Sequence, residues 1–135
     1  MGQQQLLLVI LVTIIVGIAT VVAINTFSSA ADSANVDAVR QDIASIAASA
    51  QGYYIKPEML GGGGQDFTNI TFRDIAFAAD SIDTSDDLTA INQNGVYVIS
   101  GGAAGEFTLT AHPASALTPP ITFASTAAAA DQLEA

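Results

Sequence analysis

The 135-residue chain has no cysteine, so neither a disulfide framework nor a cysteine metal site is available to it. Cations are almost as scarce. Arg40, Lys56 and Arg73 stand against 13 acidic residues, the formal net charge is −10, and no basic residue precedes position 40. Binding to a phosphate backbone depends on clustered cations that release counterions, so nucleic acid is not an expected partner. The same scarcity leaves the apolar N-terminal segment without flanking charges to set its orientation by the positive-inside rule. The acidic, Thr-rich remainder is therefore placed outside the cytoplasm.

Groups for catalysis are few as well. His112 is the single histidine, it precedes Pro113, and no nucleophile motif accompanies it. The Gly61–Gly64 run is followed by Gln65-Asp66 rather than Gly-Lys-Ser/Thr, which excludes a phosphate loop and reads as a flexible hinge. Asp80, Asp83, Asp86 and Asp87 form the one cluster of hard oxygen donors. Their spacing lacks the alternation and central glycine of an EF-hand loop, so they read as a solvated acidic loop, with weak Ca²⁺ binding as the alternative. No enzyme activity, cofactor or metal is expected. Asn69-Ile70-Thr71 meets the N-glycosylation sequon and makes Asn69 a candidate for modification.

What the chain has in abundance is apolar surface at its start. Leu6 to Ile24 is uncharged and free of proline. As a helix it rises about 28 Å, near the thickness of a bilayer's hydrocarbon core. Met1 to Gln5 carries no Lys or Arg, and Ile24 to Phe27 offers no small-x-small cleavage site, so the segment reads as part of the working protein rather than as a signal peptide. Thr13, Gly17 and Thr20, at i, i+4 and i+7, form a strip of small residues that permits close helix approach. Gln5, Leu6, Ile10, Thr13, Ile14, Gly17, Val21 and Ile24 are the expected packing residues of this half.

A second pattern follows without interruption. Val36, Val39, Ile43, Ile46, Ala50 and Tyr53 recur at a 3-4 spacing and fall on one helical stripe. Phe27 to Asn35 has neither Gly nor Pro, so one long helix over about residues 2–54 is expected, bent or loosened at that joint. Lys56-Pro57 ends it. Val39, Ile43, Ile46 and Tyr53 are the expected contacts to a sheet. Phe67–Phe72, Gly95–Ser100, Glu106–Ala111 and Ile121–Ala124 are rich in β-branched and aromatic residues and read as strands, with a hairpin through Gly101–Gly105. Residues 72–87 are ambiguous, and the tail from Ala127 reads as a short helix or a frayed end. The fold class is α+β: an N-terminal helix over 1–56, with a membrane or filament-core half (1–27) and an amphipathic half (28–56), packed on a small antiparallel β-domain over 57–135.

A helix that is apolar and then amphipathic, a Gly-rich loop and a small antiparallel sheet together resemble a mature type IV pilin or pseudopilin. Arg40-Gln41-Asp42-Ile43-Ala44-Ser45-Ile46, leading to Tyr53-Tyr54, is similar to the second half of that family's helix. The likeness covers residues 1–57 by pattern and the remainder by topology. It implies a homo-oligomeric helical filament outside the cell, a stay in the inner membrane before assembly, and dependence on a prepilin peptidase and an assembly machinery. Two departures stand out. The family's mature fifth residue is Glu, whose carboxylate meets a neighbour's terminal amine, whereas Gln5 accepts a hydrogen bond without neutralising charge. The family's precursors also carry a short basic leader ending in glycine; here Met1 is either the first residue of a processed chain or the initiator. A pseudopilin of a secretion system and a monomeric membrane-anchored extracytoplasmic binding module are the alternatives.

Overall fold

A computed structural model describes residues 2–116. One helix, α1, runs from Gly2 to Ile55, and four strands follow: β1 (Ser81–Ile82), β2 (Thr89–Ile91), β3 (Gly95–Ser100) and β4 (Thr108–Pro113). They form an antiparallel sheet in the order β1-β2-β3-β4, so each strand pairs with its neighbour in sequence. This is the expected α+β class. The chain divides into two compact units after Ala34, which assigns the helix from Asn35 onward to the same unit as the sheet.

The core of that second unit is built from the helical stripe. Val39, Ile46, Ala50 and Tyr53 are buried in one cluster with Ile70, Phe72, Ile75, Ala90, Tyr97 and Ile99, and Ile43 packs at its margin. The stripe works because residues three and four apart share a helix face. β3 supplies the sheet's main contribution, with Val96, Tyr97 and Ile99 all buried. Aromatic contacts extend the cluster: Phe77 meets Phe72 at 5.9 Å and the edge of Tyr97 at 5.1 Å between ring centroids.

Three sequence expectations change. Phe67–Phe72 is not a strand. Asp66 Oδ1 accepts hydrogen bonds from the Thr68 amide (2.7 Å) and hydroxyl (2.6 Å), and the Ile70 amide donates to Phe67 O, so local turn chemistry takes the backbone away from a ladder. Ile70 and Phe72 nevertheless reach the core. β4 begins at Thr108, two residues later than expected, because Ala103 N donates to Glu106 O and keeps Glu106 in the connecting loop. The Gly61–Gly64 run is a hydrogen-bonded cap rather than a flexible hinge. Gly61 sits at φ 78°, a left-handed conformation that favours glycine. The amides of Gly63, Gly64 and Gln65 donate to the carbonyls of Tyr53, Lys56 and Tyr54, which satisfies the end of α1. The expected strand Ile121–Ala124 and the tail from Ala127 lie outside the described residues.

Candidate functional site

The first unit is distinguished by its surface. Every residue from Gly2 to Ala34 is exposed, including Gln5, Leu6, Ile10, Thr13, Ile14, Gly17, Val21 and Ile24. The helix is long and apolar enough to cross a membrane, and none of the qualifying window is buried within the chain. Large apolar side chains left in water forgo roughly 1.5–3 kcal/mol each relative to full burial, so a surface of this kind is compatible with anchoring in a membrane.

Its polar atoms are already satisfied. The hydroxyls of Thr13, Thr20 and Thr26 donate to the carbonyls of Val9 (2.7 Å), Val16 (2.8 Å) and Val22 (2.9 Å), one turn back. A hydroxyl bonded to its own helix needs neither water nor a partner chain, which suits Thr to an apolar environment. At Gly17 an added Cβ would meet nothing within 4 Å, so this side of the helix is open to a close-packed neighbour.

The carboxylates expected to form the acidic loop lie between and beside β1 and β2, and those of Asp83, Asp86 and Asp87 are engaged by neighbouring groups. Asp83 Oδ1 accepts from the amide (3.0 Å) and hydroxyl (3.1 Å) of Ser85, Asp86 Oδ1 accepts from the Leu88 amide (3.0 Å), and Asp87 pairs with Arg73 at 2.6 Å. The Asp80 amide donates to Ile91 O as β1 begins. Among the described residues no group of three or more acidic, histidine or cysteine side chains is placed to hold a metal ion. Asn69 is exposed on a turn, not in a strand. His112 is half-buried in β4 opposite Val96.

Sequence reasoning missed the hub of the second unit. Asp42 Oδ2 accepts three hydrogen bonds, from Tyr97 Oη (2.6 Å), Asn94 Nδ2 (2.8 Å) and Asn92 Nδ2 (2.9 Å). Burial pushes the Asp42 carboxyl upward, but the bonds from Asn94, Tyr97 and Asn92 prevail and hold it below its ordinary value. Burial, then the hydrogen bond to Asp42 and its charge, push the Tyr97 phenol well above its ordinary range. Asn92 Oδ1 meanwhile accepts from the amides of Asn94 (2.9 Å) and Gly95 (3.2 Å), shaping the β2–β3 turn that delivers both amides to Asp42. The signal available in the sequence was Asn92-Gln93-Asn94-Gly95 between two apolar runs, which marks a hairpin turn.

A cleft of about 570 Å³ opens at the other end of this helical stretch, lined by Gln51, Tyr54, Ile55, Phe67, Glu106 and Phe107 among others. Phe67 stacks on Tyr54 at 4.8 Å and lies 5.0 Å from Phe107, so the three rings form a continuous aromatic wall. No protein-family model matches the chain, and neither a curated protein nor a solved structure matches it.

Proposed function

We propose that this chain is the structural subunit of a pilus-like extracellular filament, held in a membrane by α1 before assembly and polymerising with identical copies through the same helix. The observation that carries the reading is the exposed apolar stretch from Leu6 to Ile24, whose hydroxyls are satisfied internally and whose Gly17 leaves room for a neighbour. Such a surface can face lipid in one state and other helices in the next, because both environments exclude water and neither requires a change in backbone bonding. The β-domain, with its acidic loop and few cations, would then occupy the outside. In this reading the filament does no chemistry of its own, and cohesion comes from Ile10, Ile14, Val21 and their apolar neighbours.

Gln5 gives the assembly a particular character. A carboxylate at this depth would need a cationic partner to offset its desolvation, whereas an amide needs only hydrogen bonds. Gln5 therefore brings no charge of its own to the contact between subunits, and filament stability should depend little on salt at that side chain. Electron microscopy of material sheared from cells or assembled after detergent removal tests the proposal. Helical fibres are the expected result; isolated detergent-soluble particles under all conditions would overturn it in favour of a monomeric anchored module.

A further inference from the structure

The cleft beside the end of α1 is a built recess. Gln65 N donates to Tyr54 O (2.8 Å) and Phe67 N donates to Ala103 O (3.2 Å), so the helix end, the Phe67 turn and the loop before β4 are tied together. Gly102 permits the close fit of the two loops, since a Cβ there would stand 2.6 Å from Phe67 O. The Ala103 amide donates to Glu106 O at 2.8 Å and sets the stretch that carries Glu106 and Phe107. At about 570 Å³ the recess has the size of a small-molecule site.

Its lining defines a ligand chemistry. Tyr54 and Phe67 lie with their ring planes 30° apart, and Phe67 and Phe107 with theirs 54° apart, so the aromatic wall bends around the space. The face of each ring is the negative side of its quadrupole and attracts a cation. Glu106 supplies the only formal charge in the lining, and no Lys or Arg is among the lining residues. The chain as a whole carries −10, so the surrounding field draws cations in and opposes anions. What selects the ligand is the ring wall and the carboxylate together, in that field. Hydrogen-bonding side chains are otherwise limited to Gln51 and Tyr54. A primary ammonium brings three donors that each need an acceptor, whereas a quaternary ammonium brings charge and no donor.

We infer that this cleft binds a free organic cation of the quaternary ammonium class, its nitrogen set against the Tyr54, Phe67 and Phe107 rings and toward the Glu106 carboxylate. Ala47 and Ile55, which also line the recess, receive the apolar remainder of the ligand. A phospholipid headgroup of the same nitrogen chemistry fits less well, because its phosphate enters a negative field. The site lies wholly in the second unit and does not depend on the filament reading.

Choline is the probe, titrated into the isotope-labelled full-length protein in dodecyl maltoside while the amide signals of Phe67, Gly105 and Phe107 are followed by NMR. Saturable shifts at millimolar choline are expected, with about tenfold weaker binding of neohexyl alcohol, the neutral carbon isostere. Glu106→Gln, at an exposed position, should weaken choline severalfold and leave the alcohol unchanged. Phe107→Leu keeps apolar bulk but removes a ring, and should also weaken choline severalfold; should that variant fail to fold, the isostere and Glu106→Gln comparisons still decide. Absence of saturable shifts, equal binding of the neutral alcohol, or indifference to Glu106→Gln overturns the inference. Phosphocholine should bind more weakly than choline, and equal or tighter binding overturns the choice of a free cation.

Discussion

The Tyr97 hydroxyl donates a 2.6 Å hydrogen bond to Asp42 Oδ2, linking the middle of β3 to the helix across 55 positions of sequence. Tyr97 is fully buried, so this bond fixes both where the strand lies against α1 and how far along it. Replacing Asp42 with Ala strands three donors at once. The expected loss is about 2–4 kcal/mol, since hydrogen bonds to charged groups contribute roughly 1.5–3 kcal/mol each and shared networks are not additive. Tyr97→Phe removes one donor and leaves Asp42 with two, so its loss should be smaller, about 1–2 kcal/mol. Urea unfolding followed by tyrosine fluorescence and circular dichroism of the detergent-solubilised protein measures both.

The same pair sets a pH dependence at each end of the scale. Asp42 is held below its ordinary carboxyl value in the fold, so its contribution is fully present above the unfolded value of about 3.9 and is lost as pH falls through the lower folded value. Tyr97 is shifted the other way. Its contribution is complete below the unfolded value of about 10 and declines as pH rises beyond that, because only the unfolded chain readily releases the proton. Melting temperatures recorded across pH should therefore fall at both extremes, and Asp42→Asn should flatten the acid limb.

At Gly95 a side chain has no room. A Cβ there would collide with the carbonyl oxygen of His112, across the β3–β4 ladder. Gly95→Ala should destabilise the sheet by about 2 kcal/mol or more, as steric overlap with backbone cannot be relieved by a rotamer change. Gly105→Ala, open on all sides, should be close to neutral in the same thermal melts.

Gly17→Leu addresses the other unit. It fills the open side of the apolar helix without altering any intrachain contact, so insertion into the membrane should be unchanged. If the chain polymerises as proposed, fibres of the variant should be shorter or dissociate at lower temperature, as seen by microscopy after stepwise heating. Unchanged fibres would show that close packing at this strip is not part of assembly.

Most of the helix was legible in the sequence, because a 3-4 spacing from Val36 to Tyr53 admits one geometry, and on that stripe Val39, Ile46, Ala50 and Tyr53 are buried while Val36 and Ile43 are half-buried. β3 was equally plain, with its six residues Gly95–Ser100 bounded by turn formers on one side and glycines on the other. β1 and β2 were not, being two and three residues long, too short for alternation to register. The misread Phe67–Phe72 segment has strand composition, yet Asp66 offers its backbone a nearer partner than any neighbouring strand. The Asp42 hub escaped notice for a different reason: a polar residue between Gln41 and Ile43 looks like solvent-facing helix until the fold brings residues 92–97 over it.

Asn35 makes hydrogen bonds on both sides of its amide, giving to Asn94 O (2.8 Å) and receiving from Ser115 N (3.1 Å), 59 and 80 positions away. Those separations impose an order of events on biosynthesis. The apolar segment leaves the ribosome before the strands and needs none of them to become a helix, while the stretch from Asn35 to Ile55 must wait for nearly the whole described chain before its partners exist. The apolar segment can thus find its environment before the rest has a fold to protect, and closure of the β-domain onto the helix waits for residues 94–115.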